Sequence, residues 1–241
     1  MTGLYHVEVL PRIGEGLIDS RGESIRRQLM TDHDIEVTQV RSTQGYLVKG
    51  ELGNESLNRA ANELFSDPVL EYVTVDASFL DNGTFDNAPD ISILIGFKPG
   101  VTDNRAQAAL DGFKTLFPER SGVEISTTLG IHFWGTPSDV DAVWLAGQLH
   151  NPLIERAVIA DRRGTRKDPW PTLTFPERPP LESTKPKIID LEVPDEHLIE
   201  ISDTGLLALN LIEMKAIQAH YRNPEVQKIR LSRGLPPNAP T

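Results

Sequence analysis

The sequence predicts an α+β protein made of two tandem βαββαβ units that form a pseudo-dimer, followed by a proline-rich arm and a short helical segment. An internal repeat carries the prediction. Gly16–Arg21 returns as Gly100–Arg105 and Asp67–Glu71 returns as Asn151–Glu155, both at an offset of 84 (103 − 19 and 152 − 68). A solenoid unit spans only about 20–50 residues, so this longer period indicates a whole small domain present twice.

A third match supports the repeat and sets the boundaries. Gly45–Gly50 corresponds to Gly130–Gly135 at an offset of 85 (130 − 45), so one residue is gained and then lost. The predicted divisions are a first copy at 1–80, a connector at 81–89, a second copy at 90–160, a proline-rich arm at 161–190 and an apparently truncated helical linker at 191–241.

The first copy begins with an alternating strand over 5–10. Asp19 or Ser20 is suited to cap the following helix, whose apolar stripe includes Ile25 and Leu29. The next elements are predicted as a hairpin of strands 35–41 and 45–51 joined by 42–44, a helix capped by Asn54, and a closing strand at 69–75.

The second copy repeats this order. Its predicted elements are a strand at 91–97, a helix with Ala106, Ala109 and Phe113 on its stripe, strands at 123–128 and 131–135, a helix capped by Ser138 with Val140, Val143, Trp144 and Gly147, and a strand at 153–159. The order βαββαβ is that of the ferredoxin-like split unit, a four-stranded antiparallel sheet with helices on one face. Two such sheets can meet face to face or edge to edge, and the sequence leaves both open.

Composition narrows the function classes. The net charge of −11 argues against a sequence-independent nucleic-acid binder and against an anionic membrane surface as partner. The sequence has no cysteine, which excludes disulfides and thiolate chemistry, and no apolar run approaches a membrane span. We therefore expect a cytoplasmic protein with neither a nucleic acid nor a membrane as partner.

No motif in the sequence predicts catalysis or a metal. The six histidines show no metal-ligand spacing, and Gly14-Glu15-Gly16 lacks the third glycine of a dinucleotide loop, so a flexible strand-to-helix turn explains it better. We predict no catalytic, cofactor-binding or metal residue. His132 and Trp134 share the strand face away from the helices, where they suit a contact with the other copy or with a partner, or only partial exposure.

The C-terminal segment predicts further helices. A short helix begins at Asp195, and Asn210 with Glu213 forms a capping box for the next helix. That second helix carries three further candidate interface residues, which are Met214, Ile217 and Tyr221.

Both copies resemble the small PurS-type subunit of phosphoribosylformylglycinamidine synthase. The resemblance rests on 5–9 (YHVEV), the Gly-x-x-Asp-x-Arg helix starts, 45–48 (GYLV) and the closing Asp/Asn-Pro-x-x-Glu strands. Residues 195–202 (DEHLIEIS) and 207–221 (LALNLIEMKAIQAHY) look like the linker region that opens the large synthase subunit. The arm is unusually long for this pattern.

The resemblance implies a role in de novo purine synthesis, in the glutamine- and ATP-dependent amidation of FGAR to FGAM. It implies a non-catalytic scaffold that joins the glutaminase to the catalytic synthase portion and supports ammonia transfer. No family ATP, substrate or glutaminase residue has a position here, so ATP and Mg are expected only in the missing catalytic portion.

Two other function classes stay open. ACT-type ligand-sensing domains share the βαββαβ order, often come in pairs, and have a glycine-containing turn like 97–101 (FKPGV). A ligand at the copy interface would favour such a sensor. A free-standing catalyst is the third possibility, and turnover by this chain alone would establish it.

Overall fold

One antiparallel sheet of six strands organises the N-terminal part of the protein. The computed structural model describes residues 3–14, 16–164, 168–177 and 188–237. These residues form a mixed α+β protein of two compact units, one up to residue 177 and one from residue 188 onward. Parts of the predicted arm (165–167 and 178–187) and of the linker (238–241) lie outside the described residues.

The elements of the first unit follow the repeat. They are β1 (Gly3–Pro11), α1 (Ser20–His33), β2 (Gln39–Gly50), α2 (Asn54–Ala60) with a π-helical turn (Ala61–Phe65), β3 (Glu71–Val75), β4 (Ile91–Phe97), α3 (Asn104–Leu116), β5 (Glu124–Trp134), α4 (Ala142–Leu149) and β6 (Glu155–Asp161). The second unit contains α5 (Asp195–Thr204), α6 (Leu211–Arg222) and α7 (Pro224–Ser232).

The two copies join edge to edge. The strand order is β3-β1-β2-β5-β4-β6, so the first copy supplies one half of the sheet and the second copy the other. Gln44 pairs with Leu129 across the β2–β5 junction. These two positions are also equivalent in the repeat (44 + 85 = 129), so a local two-fold axis passes between them.

The predicted hairpins are wrong in both copies. Ser42-Thr43-Gln44 continues through the single long strand β2, and Leu129-Gly130 continues through β5. The tripeptide 42–44 contains none of the Gly, Asn or Asp residues that a tight hairpin turn requires. Each copy therefore has three strands in the order βαβαβ, and the specific ferredoxin-like units are not confirmed.

Two helix caps also differ from the prediction. Asp19 does cap α1, but Gly53 occupies the cap position of α2, which has no side-chain cap bond from Asn54. Asp141, not Ser138, caps α4 through the backbone N–H groups of residues 143 and 144. This shift turns Val143 outward, with 71% of its surface exposed.

The same shift changes where the other residues of the predicted α4 stripe lie. Val140 precedes the helix, and Trp144 is 38% exposed. Leu145 and Ala146 face the sheet instead and are buried. Because the helix starts at residue 142, its apolar stripe is rotated from the one that the sequence predicts.

Helices from the two copies cross over onto each other's strands. Phe113 of α3, in the second copy, packs in a core with Val7 of β1 and with the π-helical turn. Leu29 of α1, in the first copy, packs in the other core with Ile93 of β4. Each core thus contains residues of both copies, so neither copy buries its apolar face alone.

The C-terminal unit has a small core of its own. Leu191, Leu198 and Met214 are each at most 2% exposed. The capping box is confirmed, because Asn210 accepts from the Glu213 N–H at 3.1 Å and Glu213 accepts from the Asn210 N–H at 2.8 Å. The α7 helix was not predicted. Its proline occupies the first turn, where no backbone N–H donor is needed.

Replacing Gly45 by alanine should destabilise the first unit by about 1–3 kcal/mol, because a buried strand site without space must shift. A Cβ atom there would lie 2.1 Å from Thr128 Oγ1. The matched control is Gly147→Ala in α4, where nothing lies within 4 Å of the new atom, and up to about 1 kcal/mol of stabilisation is expected. The midpoints of urea unfolding curves measure the change in stability of both variants. Equal or greater stability of Gly45→Ala than of Gly147→Ala would contradict the packing.

Candidate functional site: the polar centre of the sheet

The two copies meet at a strip of small and polar residues on the sheet face that carries no helices. Thr43 lies opposite Gly130, and Thr128 lies opposite Gly45. A Cβ atom on Gly130 would lie 2.3 Å from Thr43 Oγ1, which mirrors the contact of Thr128 with Gly45. The repeated Thr-x-Gly sequence therefore packs a hydroxyl over a glycine on each side of the local axis.

His132 is the buried hub of this strip, with 1% of its surface exposed. Its Nε2 lies 3.2 Å from Thr43 Oγ1, and its Nδ1 lies 3.1 Å from Ser92 Oγ. Burial, with a smaller contribution from the Arg41 charge, lowers the pKa of His132 from 6.5 to about 3. The ring is therefore neutral at physiological pH. We call the following residues the polar centre: His6, Thr43, Ser92, Thr128 and His132.

The first copy contributes a second histidine near the axis. His6 Nε2 would lie 3.2 Å from a Cβ atom on Gly45, beside the Thr128 hydroxyl. Thr128 Oγ1 is buried and has no hydrogen-bond partner in the part of the chain that the structure describes. Buried hydroxyls are normally hydrogen-bonded, so this group is a candidate for contact with a bound molecule.

The end of the first copy and the connector that follows it cover one side of the polar centre. Phe79 is buried, and its backbone N–H donates to Glu8 Oε2 at 2.8 Å. Further along, the Phe85 ring packs edge-on against Trp134 at 5.0 Å between centroids. Trp134 Nε1 donates to the Asn87 carbonyl at 2.9 Å. The connector is therefore a structural cover and not a free linker.

Residues 168–177 of the arm cross the same face of the sheet. Lys49 Nζ forms an ion pair with Glu177 at 2.7 Å. Leu173 packs over Gly96, whose missing side chain leaves the space: a Cβ atom there would lie 2.9 Å from Leu173 Cδ1. These residues of the arm therefore lie against the surface of the sheet.

A cavity of about 330 Å³ remains between the sheet, the connector and the arm. Its lining includes His6, Thr128 and His132 of the polar centre, together with Glu8 and the arm residue Trp170. Residues of both copies line it, so the cavity lies at the copy interface.

A buried ion pair ties α1 to β2 beside the polar centre. The Asp19 carboxylate accepts from the Gly22 N–H at 2.8 Å, from the Ser42 N–H at 2.5 Å and from Ser42 Oγ at 2.8 Å. Arg41 Nε lies 3.4 Å from Asp19 Oδ2, and burial lowers the pKa of Arg41 from its ordinary value. Asp19 therefore caps a helix and fixes a strand.

The second copy repeats the aspartate that caps a helix and fixes a strand, which accounts for the Gly and Asp of the Gly-x-x-Asp-x-Arg repeat. Asp103 accepts from the Ala106 N–H at 2.9 Å and from the Thr127 N–H at 2.7 Å. Gly16 and Gly100 have φ values of 90° and 84°, a left-handed conformation that favours glycine. The turn geometry agrees with a strand-to-helix connection.

The predicted interface residues fall in two places. His132 and Trp134 lie on the non-helical face as predicted, and His132 contacts the other copy through Thr43. Met214 is 1% exposed in the core of the C-terminal unit. Ile217 and Tyr221 are half-buried and line an apolar groove of about 650 Å³ in that unit.

Within the described residues, no group of three or more His, Asp or Glu residues is placed to hold a metal ion. Likewise, none of the described helices has the length and apolar character needed to span a membrane.

Four residues at this site were not predicted from the sequence: His6, Glu8, Thr43 and Thr128. One signal was present, since Thr43 and Thr128 are equivalent at the offset of 85 and each precedes a glycine by two residues. The predicted hairpin placed Thr43 in a turn, which hid its position opposite the second copy. Nothing in the sequence indicated that the segment after β3 would bring Phe79 to Glu8.

Comparison with protein-family models and with curated proteins gives no match for this chain.

Acidification should destabilise the first unit through His132. The folded protein holds this ring neutral with a pKa of about 3, whereas the unfolded chain binds a proton near pH 6.5. Stability is therefore lost as pH falls below 6.5, by about 2 kcal/mol between pH 7 and pH 5 from this group. Chemical denaturation at several pH values measures the slope.

His132→Gln should flatten that slope, although it lowers stability at pH 7. The matched control is the same substitution at His33, which lies exposed near the end of α1. Identical pH slopes for the wild type and the His132 variant would contradict the assignment.

Proposed function

We propose that this chain is the non-catalytic scaffolding and docking portion of phosphoribosylformylglycinamidine synthase, joining the glutaminase to the catalytic synthase portion. The observation that carries the proposal is the fused pair of copies. One continuous sheet and two shared cores make a covalent pseudo-dimer, which is the arrangement a two-sided scaffold needs. The resemblance of both copies and of 195–221 to this enzyme supplies the identity of the partners.

The scaffold offers one exposed apolar turn at each end of the sheet. Val69, before the edge strand β3, is 73% exposed, and its counterpart Leu153, before the edge strand β6, is 82% exposed. These positions are equivalent at the offset of 84 (153 − 69). Exposed apolar side chains repeated at both ends suit two docking points for partner proteins.

Hydrogen bonds hold both turns in shape. Asp67 Oδ1 accepts from the Val69 N–H at 2.8 Å, and the Asp67 N–H donates to Glu71 at 2.8 Å. In the second copy, Asn151 Oδ1 accepts from the Leu153 N–H at 3.0 Å. Preorganised turns lose little conformational freedom when they bind, which favours affinity.

The C-terminal unit adds a third surface. Ile217 and Tyr221 border its apolar groove, and the resemblance places this segment next to the catalytic synthase domains. In the proposed assembly, this groove contacts the synthase portion, where ATP and Mg bind. Ammonia released by the glutaminase then passes between parts that the scaffold holds together.

The ACT-like sensor is the second candidate. The cavity at the copy interface favours it, because paired sensor domains bind their ligands between copies. Calorimetry with amino acids and purine nucleotides separates the two: micromolar binding without partner association supports the sensor, and partner association without such binding supports the scaffold.

If the chain is a scaffold, we expect it to associate with the glutaminase and the synthase portion in the presence of glutamine and nucleotide. Sedimentation velocity measures this association. Val69→Asp with Leu153→Asp should raise the Kd for these partners at least tenfold, about 1.4 kcal/mol, because a charge enters each apolar contact. Ile18→Asp is the matched control, since Ile18 is 66% exposed but lies outside both turns. No association of the wild type with either partner would refute the scaffold.

A further inference from the structure

The cavity under the arm has an acidic lining. Its volume of about 330 Å³ is at the lower end of the range for small-molecule sites. Three carboxylate residues line it, which are Glu8, Asp76 and Asp81, and neither lysine nor arginine is among its described lining residues. His132 adds no positive charge at physiological pH because it is neutral there. The cavity therefore repels anions and attracts a cation.

Glu8 is the central charge of this lining. It is 5% exposed and lies on β1. One carboxylate oxygen accepts from the Phe79 N–H at 2.8 Å, and the other is not among the fully buried, unpaired polar atoms of the described residues. A buried carboxylate is costly unless it is paired and hydrogen-bonded. A cationic N–H donor bound in the cavity would add a charged hydrogen bond to this carboxylate.

Asp81 and Thr128 extend the polar side of the cavity. Asp81 is exposed in the connector, so its carboxylate faces solvent as well as the cavity lining. Thr128 contributes the buried hydroxyl that lacks a partner in the described chain. A donor group near Glu8 therefore has further oxygen atoms in the same lining.

Apart from His6, Ser78 and Thr172, the rest of the cavity wall is mainly apolar. Leucines come from three strands, the end of the first copy and the arm, and Trp170 closes the arm side; the residues are Leu4, Leu47, Leu80, Leu94, Leu173 and Trp170. Burying apolar ligand surface against such walls favours binding by roughly 25 cal/mol per Å². A hydrated metal ion would leave these walls unused, whereas an organic cation with a hydrophobic body would contact both regions.

We infer that this cavity binds a small monocationic amine whose apolar part is about the size of an aromatic ring system. The ammonium group contacts Glu8, and the apolar part packs against the leucines and Trp170. The ligand enters between the arm and the connector, the two segments that cover the sheet. This site does not depend on the scaffold role, and its failure would leave that role untouched.

Isothermal titration calorimetry with three probes of the same shape tests the inference. Tryptamine carries the ammonium group, tryptophol is its neutral counterpart, and indole-3-propionate is an anion. We expect saturable one-to-one binding of tryptamine, at least tenfold weaker binding of tryptophol, and no binding of the anion. Equal binding of tryptamine and tryptophol, preferential binding of the anion, or no saturable binding of tryptamine would overturn the inference.

Glu8→Gln tests whether the Glu8 carboxylate binds the ammonium group. Glutamine removes the negative charge but retains an oxygen that can accept from the Phe79 N–H. This substitution should weaken the binding of tryptamine at least tenfold and leave the binding of tryptophol unchanged. Glu55→Gln, on the exposed surface of α2, is the matched control. If Glu8→Gln fails to fold, Asp81→Asn at the exposed connector replaces it, with an expected weakening of about threefold. Unchanged tryptamine affinity in the folded variant tested would overturn the inference.

Discussion

The pairing of β2 with β5 is the constraint on which the rest of the structure depends. Eleven residue pairs, from Gln39–Trp134 to Lys49–Glu124, join the two halves of the sheet. The close approach at its centre requires glycine opposite threonine on both sides of the axis. Through this ladder, each copy presents its apolar strands to the other copy's helix, so the two cores belong to one compact unit rather than to separate domains.

The repeat, the helix starts and the capping box could all be predicted from the sequence, because each depends on local chemistry. Asp19 caps a helix whatever lies beyond it, and Asn210 with Glu213 stabilises α6 through neighbours three residues away. The course of β2 was not predictable in the same way. Nothing in Ser42-Thr43-Gln44 reveals that a partner strand from 85 residues downstream will hold it extended.

The candidate site escaped prediction for the same reason. Its groups come from β1, β2, β4 and β5, which are distant in sequence, and their side chains form no local motif. His132 was singled out by its strand face, but its neutral state follows from burial under segments that look like linkers in the sequence. When a segment distant in sequence covers a strand, the sequence contains only a weak indication of it, such as the glycine at position 96 on which Leu173 packs.

Covalent fusion frees the two halves from having to be identical. In a dimer of identical chains, every substitution near the axis appears twice and must suit both sides. Here His6 pairs with Leu47 in one half, whereas Ser92 pairs with His132 in the other. The histidine has thus changed strands between copies that otherwise share the same plan. A fused pair can evolve a single binding site at its centre, where a symmetric dimer must build either two sites or a symmetric one.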